Sequence, residues 1–205
     1  MGDEPSRLKQ ALPLALVGIG ALVAAAGLTR SDGSGPRETL ITLGLAAAAA
    51  GAVVALAAAA RAKGRGRENA LEKRFPGAVI FPAARTSEAS VAFARLARKS
   101  HSSQRLPASF SVVVSESTLG LWSGGARSPQ QLIEIAASRI GGVEFTEIRV
   151  NSLVRASVVV HVDEAPPINL PLSPIGSGAF GYGPLSAEAV RDLVARVGRT
   201  YAGKP

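Results

Sequence analysis

Three glycines near residue 180 have the spacing of a nucleotide-binding loop. Gly176, Gly178 and Gly181 lie in the segment IGSGAFGYG, between a predicted strand and a predicted helix. A dinucleotide site needs such a loop inside a strand–helix–strand unit, with an acidic residue about twenty positions further on to bind the ribose. Here one predicted helix follows and no strand. We therefore interpret the glycines as turn formers and predict no cofactor.

Side chains that could bind a metal or catalyse a reaction are sparse. The two histidines, His101 and His161, lie far apart, and the chain has no cysteine. A metal site needs three or four converging ligands. Glu144 and Glu147 fall on a predicted strand, where solvated positions are a simpler interpretation than an acid–base pair. The sequence predicts neither a metal site nor an enzyme.

Basic residues are concentrated directly after a long charge-free segment, in a chain of formal net charge +8. Six of them fall within residues 61–74: Arg61, Lys63, Arg65, Arg67, Lys73 and Arg74. Positive charge beside a membrane-spanning segment marks its cytoplasmic side. The same six residues are candidates for contact with anionic lipid headgroups, at about 1 kcal/mol each. Either role accounts for the charge, so we predict no nucleic-acid partner.

Two segments without a charged residue precede this basic stretch, residues 11–29 and 39–60. As helices they would rise roughly 28 and 33 Å at about 1.5 Å per residue, close to the ~30 Å hydrocarbon core of a bilayer. Two alanine-rich core helices of a non-membrane protein are the alternative, which the length of both segments disfavours. The sequence therefore predicts a hairpin of two transmembrane helices, joined by an external loop at residues 30–38.

Small residues favour close packing of the predicted transmembrane helices. Ala47, Gly51, Ala55 and Ala59 recur four positions apart in the second segment. Such a stripe lets two helix backbones approach closely in a bilayer. The pattern allows packing within the hairpin and also self-association between copies of the chain.

The charge distribution predicts an orientation for the hairpin. Basic residues place the N-terminus, residues 1–10, and the linker, residues 61–74, in the cytoplasm. A domain formed by residues 75–205 lies on the same side. We therefore expect a multi-pass protein of the cell membrane, with the bilayer as its partner. A cleavable signal peptide with its apolar core at residues 12–23 is an alternative that leaves the domain cytoplasmic.

Short segments typical of β-strands dominate the sequence from residue 75 onward. Alternating and β-branched stretches predict about seven strands, and amphipathic periodicity predicts two helices. Thr86 or Ser87 is expected to cap the first helix, and Ser186 the second. The predicted strands are 77–85, 110–114, 118–122, 132–135 (a strand or a turn), 142–150, 153–162 and 167–172, and the predicted helices are 87–99 and 186–201.

The segments RFPGAVIFPAAR, FSVVVSESTLGLWSGG and LSAEAVRDLVARV carry a resemblance to a known architecture. The order of strands, closed by one helix, resembles the pleckstrin-homology (PH) superfold. The amino-acid sequences of these segments resemble those of bacterial, actinobacterial-type, two-span membrane proteins with a cytoplasmic PH-like domain. The resemblance covers residues 75–201 and includes no invariant motif. It implies an α+β fold with a curved antiparallel sheet capped by a C-terminal helix, and an adaptor-like role.

The expected function is a non-enzymatic, membrane-anchored binding or adaptor module that docks a protein or a lipid headgroup at the inner membrane face. A structural subunit of a larger membrane complex is the second hypothesis, and a membrane-associated enzyme the third. Charge-free segments disfavour a transporter or channel. A lipid site in the domain itself would require scattered arginines to converge, namely Arg85, Arg127, Arg139 and Arg155.

Overall fold

The computed structural model describes residues 36–99, 104–150, 153–178 and 181–202. The chain divides into two compact units, one of Met1–Ala60 with Gly178–Gly181 and one of Arg61–Ser177 with Tyr182–Pro205. The described helices are α1 (Pro36–Arg74), α2 (Ser87–Lys99) and α3 (Ala187–Ala202), with a short 3₁₀ turn at Ala137–Arg139. The strands are β1 (Val79–Ala84), β2 (Ser109–Val114), β3 (Thr118–Gly125), β4 (Ser128–Ala136), β5 (Ile140–Val150), β6 (Leu153–Val162), β7 (Ile168–Gly178) and β8 (Gly181–Pro184).

The predicted transmembrane hairpin is wrong. No helix in the described part of the chain is long and apolar enough to cross a membrane. The same finding contradicts the predicted location as a multi-pass protein of the cell membrane. The first predicted span, residues 11–29, and the N-terminus, residues 1–10, lie outside the described residues. The predicted loop at residues 30–38 is described only from Pro36, where α1 begins.

The error has a physical origin in the second predicted span. The prediction treated the absence of charge in residues 39–60 as sufficient for insertion. Half of that segment is alanine, whose methyl group adds little apolar surface compared with leucine or isoleucine. The structure also continues the same helix without a break through the basic residues 61–74. The segment predicted as a linker is therefore the last part of a 39-residue helix.

The sheet consists of two antiparallel meanders. The strand order is β4-β3-β2-β1-β7-β6-β5, and β8 pairs with β7. Ala83 and Ala84 of β1 lie beside Pro174 and Ser173 of β7, which joins the meander β1–β4 to the meander β5–β7. The predicted fold class is thus wrong in its membrane hairpin. The structure nevertheless contains an antiparallel sheet followed by a C-terminal helix.

Local sequence signals account for the two short helices. α2 spans Ser87–Lys99, as predicted, and its first turn is capped because the backbone N–H of Ala89 donates to Thr86 Oγ1 at 3.0 Å. The backbone N–H of Ala189 donates to Ser186 Oγ at 3.2 Å in the same way at the start of α3. α3 buries a stripe formed by Val190, Leu193 and Val197.

The main core lies between one face of the sheet and the helices α2 and α3. Its largest fully buried side chains include Phe93, Phe110, Leu119, Leu121, Ile135, Ile168, Leu170 and Leu172. A second, smaller cluster contains Leu71, Val113 and Trp122. Val112 and Val114 belong to the main core. Because side chains alternate along a strand, Val113 between them places the second cluster on the opposite face of β2.

Candidate functional site

The last turns of α1 pack against the outer face of β2 and β3. We call this contact the seam, formed by Arg67 and Leu71 of α1 with Ser111, Val113 and Trp122. The side chain of Leu71 is 0% exposed, and Val113 and Trp122 bury it. Arg67 Nε donates to Ser111 Oγ at 2.9 Å, and Arg67 Nη1 donates to the carbonyl oxygen of Gly124 at 3.1 Å. The seam therefore combines apolar burial with a buried, hydrogen-bonded cation.

Glycines make the close approach of α1 possible. A Cβ atom on Gly66 would lie 2.9 Å from the Cβ atom of Ala126, in the turn between β3 and β4. Gly124 has a φ of 84°, a left-handed conformation that glycine adopts without steric strain. Gly124 also presents the carbonyl oxygen that Arg67 binds. Gly66, between two basic residues of the sequence, thus serves helix–sheet packing.

The six basic residues predicted to contact lipid have different environments. Arg67 is only 3% exposed and is used within the fold. The remaining members whose side chains are described, Lys63, Arg65, Lys73 and Arg74, are exposed, and the side chain of Arg61 is not described. Contact of these residues with anionic lipid stays a prediction, which the buried position of Arg67 does not support.

An open cleft lies beside the seam, within the same compact unit. It is lined by residues 74–78 at and after the end of α1, by residues 114–117 at the end of β2 and in the turn that follows it, and by Arg199 and Thr200 in the last turns of α3. Its volume is about 800 Å³. Gly77, with a φ of 82°, lies in this wall, and a Cβ atom there would meet nothing within 4 Å. Glycine at this position therefore serves the backbone conformation of the turn.

Aromatic rings hold one of the two arginines that line the cleft. The guanidinium carbon of Arg74 lies 5.0 Å from the ring centroid of Trp122 and 5.5 Å from that of Phe75. The two rings contact each other edge to face, with centroids 5.5 Å apart. A guanidinium over an aromatic face is attracted by the ring quadrupole and remains free to donate hydrogen bonds from its edge. The stacking thus orients Arg74 at the border of seam and cleft.

Two further charged side chains line the cleft, Arg199 and Glu116. Both are exposed. Neither forms an ion pair with another residue in the part of the chain that the structure describes. They are consequently available to pair with groups of a ligand.

Hydrogen bonds fix the hairpin turn that carries Glu116. Ser115 Oγ accepts from the backbone N–H of Thr118 at 3.1 Å, and the backbone N–H of Ser115 donates to the Thr118 carbonyl oxygen at 2.9 Å. Tyr201 of α3 donates its hydroxyl to the same carbonyl oxygen at 3.4 Å. Burial raises the pKa of the Tyr201 phenol well above its usual value. The turn and the end of α3 are therefore tied together beside the cleft.

The histidine predicted on a strand is held by its neighbours. His161 Nε2 lies 3.2 Å from Glu144 Oε1, and His161 Nδ1 lies 3.0 Å from Asn169 Oδ1. These partners occupy the adjacent strands β5 and β7, so the three side chains form a row across the sheet. Among the described residues no group of three or more metal-ligating side chains occurs. His101 lies outside the described residues.

Some residues singled out in the sequence do not come together. Arg85 follows β1, Arg127 lies in the turn between β3 and β4, Arg139 ends the 3₁₀ turn, and Arg155 lies on β6. None of these four arginines lines the cleft. Gly176 ends up on β7, where a Cβ atom would approach Leu185 Cδ2 to 2.6 Å. Its absence of a side chain makes room for Leu185 rather than for a phosphate.

Sequence reasoning missed the residues that line the cleft on its far side. Arg199 lies in the last turns of an amphipathic helix, where a basic residue is ordinary because it offsets the helix dipole. Glu116 lies in a polar hairpin turn. Neither position carries a sequence signal for binding, since only the tertiary fold brings them to the same cavity.

Comparison with other proteins adds no family. The chain matches no protein-family profile, no curated protein and no solved structure at a significant level. The resemblance of residues 75–201 to the PH superfold therefore stays a prediction.

Proposed function

We propose that this chain is a non-enzymatic binding module and that the cleft docks a short segment of a protein partner. The proposal keeps the binding role expected from the sequence. It does not depend on a membrane anchor.

The observation that carries the proposal is the pair of charged side chains, Arg199 and Glu116, that line one open cavity. Charged groups without an ion-pair partner gain the most from a ligand that supplies the opposite charge, because charge-assisted hydrogen bonds are the stronger ones. The cavity volume of about 800 Å³ falls in the range of sites that take small molecules or a few residues of peptide. Both features favour a ligand of limited size with specific polar groups.

The walls of the cleft support binding without large rearrangement. One wall follows α1, which the seam fixes through Arg67 and Leu71. The opposite wall is the hairpin turn, which Ser115 and Thr118 close by several hydrogen bonds. A site formed by restrained elements loses less conformational entropy when a ligand binds.

Trp122 offers a direct readout of this proposal, because it is the only tryptophan of the chain and contacts Arg74 at the border of the cleft. We would titrate the full chain with a panel of acetylated, amidated tripeptides whose central residue is acidic, basic, polar or apolar. Binding is followed by Trp122 emission and by calorimetry. We expect at least one class of peptide to bind.

A matched pair of variants gives the control. Arg199→Glu reverses a charge in the cleft, whereas Arg196→Glu reverses an exposed charge one turn earlier on α3, outside the cleft. Binding should be lost in the first variant and kept in the second. Failure of every peptide to discriminate between the two variants would refute the proposal. Chemical conversion of a bound peptide, seen by mass spectrometry, would contradict the non-enzymatic role.

A further inference from the structure

We infer that the segment docked in the cleft is acidic and that one of its carboxylates binds between Arg74 and Arg199. This inference rests on the proposed function and adds the chemistry of the ligand. It uses the balance of charge around the cavity and the way in which Arg74 is held.

The balance of charge around the cavity disfavours a ligand that carries more than one charge. Two guanidinium groups and one carboxylate, that of Glu116, line the cavity. The C-terminal ends of α1 and α3 both reach it, and each helix end contributes a partial negative charge of about half a unit. These contributions nearly cancel, so the cavity as a whole carries almost no net charge. A single carboxylate suits it better than a phosphate group, which carries nearly two negative charges at neutral pH.

The shape of the cation also favours a carboxylate. A guanidinium presents parallel N–H groups that match the two oxygens of a carboxylate. The guanidinium group of Arg74 already rests against the rings of Trp122 and Phe75, so it loses little side-chain freedom when it binds a ligand. Arg199 lines the same cavity from the last turns of α3. Together the two arginines supply donors from two sides of the cavity.

Glu116 explains why a peptide, and not a free anion, is the expected ligand. Its carboxylate accepts hydrogen bonds only, so it needs a donor on the ligand. A free inorganic anion places all of its negative charge inside the cavity and would be repelled by Glu116. A peptide offers backbone N–H groups beside its acidic side chain. The combination of two arginines with one glutamate therefore matches an acidic segment whose backbone N–H groups face the hairpin turn.

The test compares two probes of nearly the same shape, of which only the first carries a charged side chain: acetyl-Gly-Glu-Gly-amide and acetyl-Gly-Gln-Gly-amide. The full chain is titrated with each probe and with inorganic phosphate, using calorimetry and Trp122 emission. We expect the glutamate peptide to bind about tenfold or more tightly than the glutamine peptide, since charge-assisted hydrogen bonds contribute that much. Phosphate should bind more weakly than the glutamate peptide.

Variants test whether the glutamate peptide binds in the cleft. Arg199→Glu should weaken binding of the glutamate peptide about ten- to a hundredfold, and Arg196→Glu should leave it unchanged. Arg199→Lys should restore part of the loss, because the charge is kept while the paired donors are not. Circular dichroism and thermal unfolding establish that each variant is folded.

The outcomes separate this inference from the proposed function. Equal binding of the glutamate and glutamine peptides would overturn the acidic ligand. If phosphate competes with the glutamate peptide and binds more tightly, the inferred carboxylate is wrong and a phosphorylated ligand is favoured instead. If a neutral or basic peptide of the panel binds in a manner sensitive to Arg199→Glu, the binding module stands and only the inferred chemistry fails.

Discussion

The seam and the cleft lie next to each other and use the same residue type in opposite ways. At the seam, Arg67 is buried, and its Nε and Nη1 atoms donate to Ser111 and Gly124. About two helical turns further on, Arg74 lies exposed at the cleft, with its guanidinium group close to the rings of Trp122 and Phe75. One arginine stabilises the fold, whereas the other has donors available for a ligand. The function of a basic residue here depends on the surface opposite it and not on the charge of its segment.

The largest effect that sharpens this comparison is expected at Leu71. Leu71→Ala removes a fully buried side chain from the seam and leaves a cavity, at a cost of about 2–5 kcal/mol in the free energy of unfolding. Leu153, 61% exposed, provides the matched control, and Leu153→Ala should change stability by less than about 0.5 kcal/mol. Urea unfolding followed by circular dichroism measures both. A cost at Leu71 as small as at Leu153 would mean that the seam is not formed.

A somewhat smaller effect is expected at Arg67. Arg67→Ala removes two hydrogen bonds from a charged donor and leaves Ser111 without its partner, so we expect a loss of about 2–3 kcal/mol. Arg65 is exposed on the same helix, and Arg65→Ala should stay within about 0.5 kcal/mol of the unchanged protein. The two variants remove equal charge. Equal effects in urea unfolding would indicate that Arg67 acts only through net charge.

Substitution by alanine should change the stability of the protein in opposite directions at two helical glycines. Gly66→Ala places a methyl group against Ala126 and should destabilise the protein by about 1 kcal/mol. Gly198→Ala on α3 meets nothing within 4 Å and should stabilise it by up to about 1 kcal/mol, because alanine favours helix. The two thermal midpoints, measured side by side, test the close approach of α1. Stabilisation by both substitutions would contradict it.

The smallest effect concerns pH and the tie between α3 and the hairpin turn. The pKa of Tyr201 is raised in the folded state, so the neutral phenol is favoured there. Stability is therefore unaffected below the unfolded pKa near 10 and falls as the pH rises above it. Because the side chain is partly exposed, the loss by pH 11 should not exceed about 1 kcal/mol. Tyr201→Phe should reduce this loss of stability at alkaline pH. An unchanged loss in the variant would show that other groups cause it.

Local patterns in the sequence predicted the regular elements of the sheet unit well. α2 and β6 have the predicted boundaries because their amphipathic and β-branched patterns are long and are flanked by clear breakers. β7 extends beyond the predicted strand, 167–172, because Ser173 and Pro174 pair with β1 and β8 also pairs with β7, contacts that composition alone does not reveal. The boundaries of α2 and β6 could be predicted because they depend on residues that are close together in the sequence.

The parts that depend on tertiary packing could not be predicted. Residues 61–74 contain two glycines and alternating charge, which are typical of a linker, yet they continue a helix because Leu71 and Arg67 find partners on β2 and β3. Most of the stability of such helices comes from packing rather than from propensity. The cleft was missed for the same reason, since its walls are far apart in the chain.

The most direct test of the seam is amide hydrogen exchange of the full chain. If residues 67–74 of α1 are part of the folded sheet unit, their backbone amides should be protected to nearly the same extent as those of β2, because both open in one cooperative unit. A detached helix end of this composition would exchange far faster, since short helices without packing are marginally stable in water. Protection of residues 67–74 together with residues 109–114 is the result we expect. Fast exchange in residues 67–74 beside a protected β2 would contradict the account.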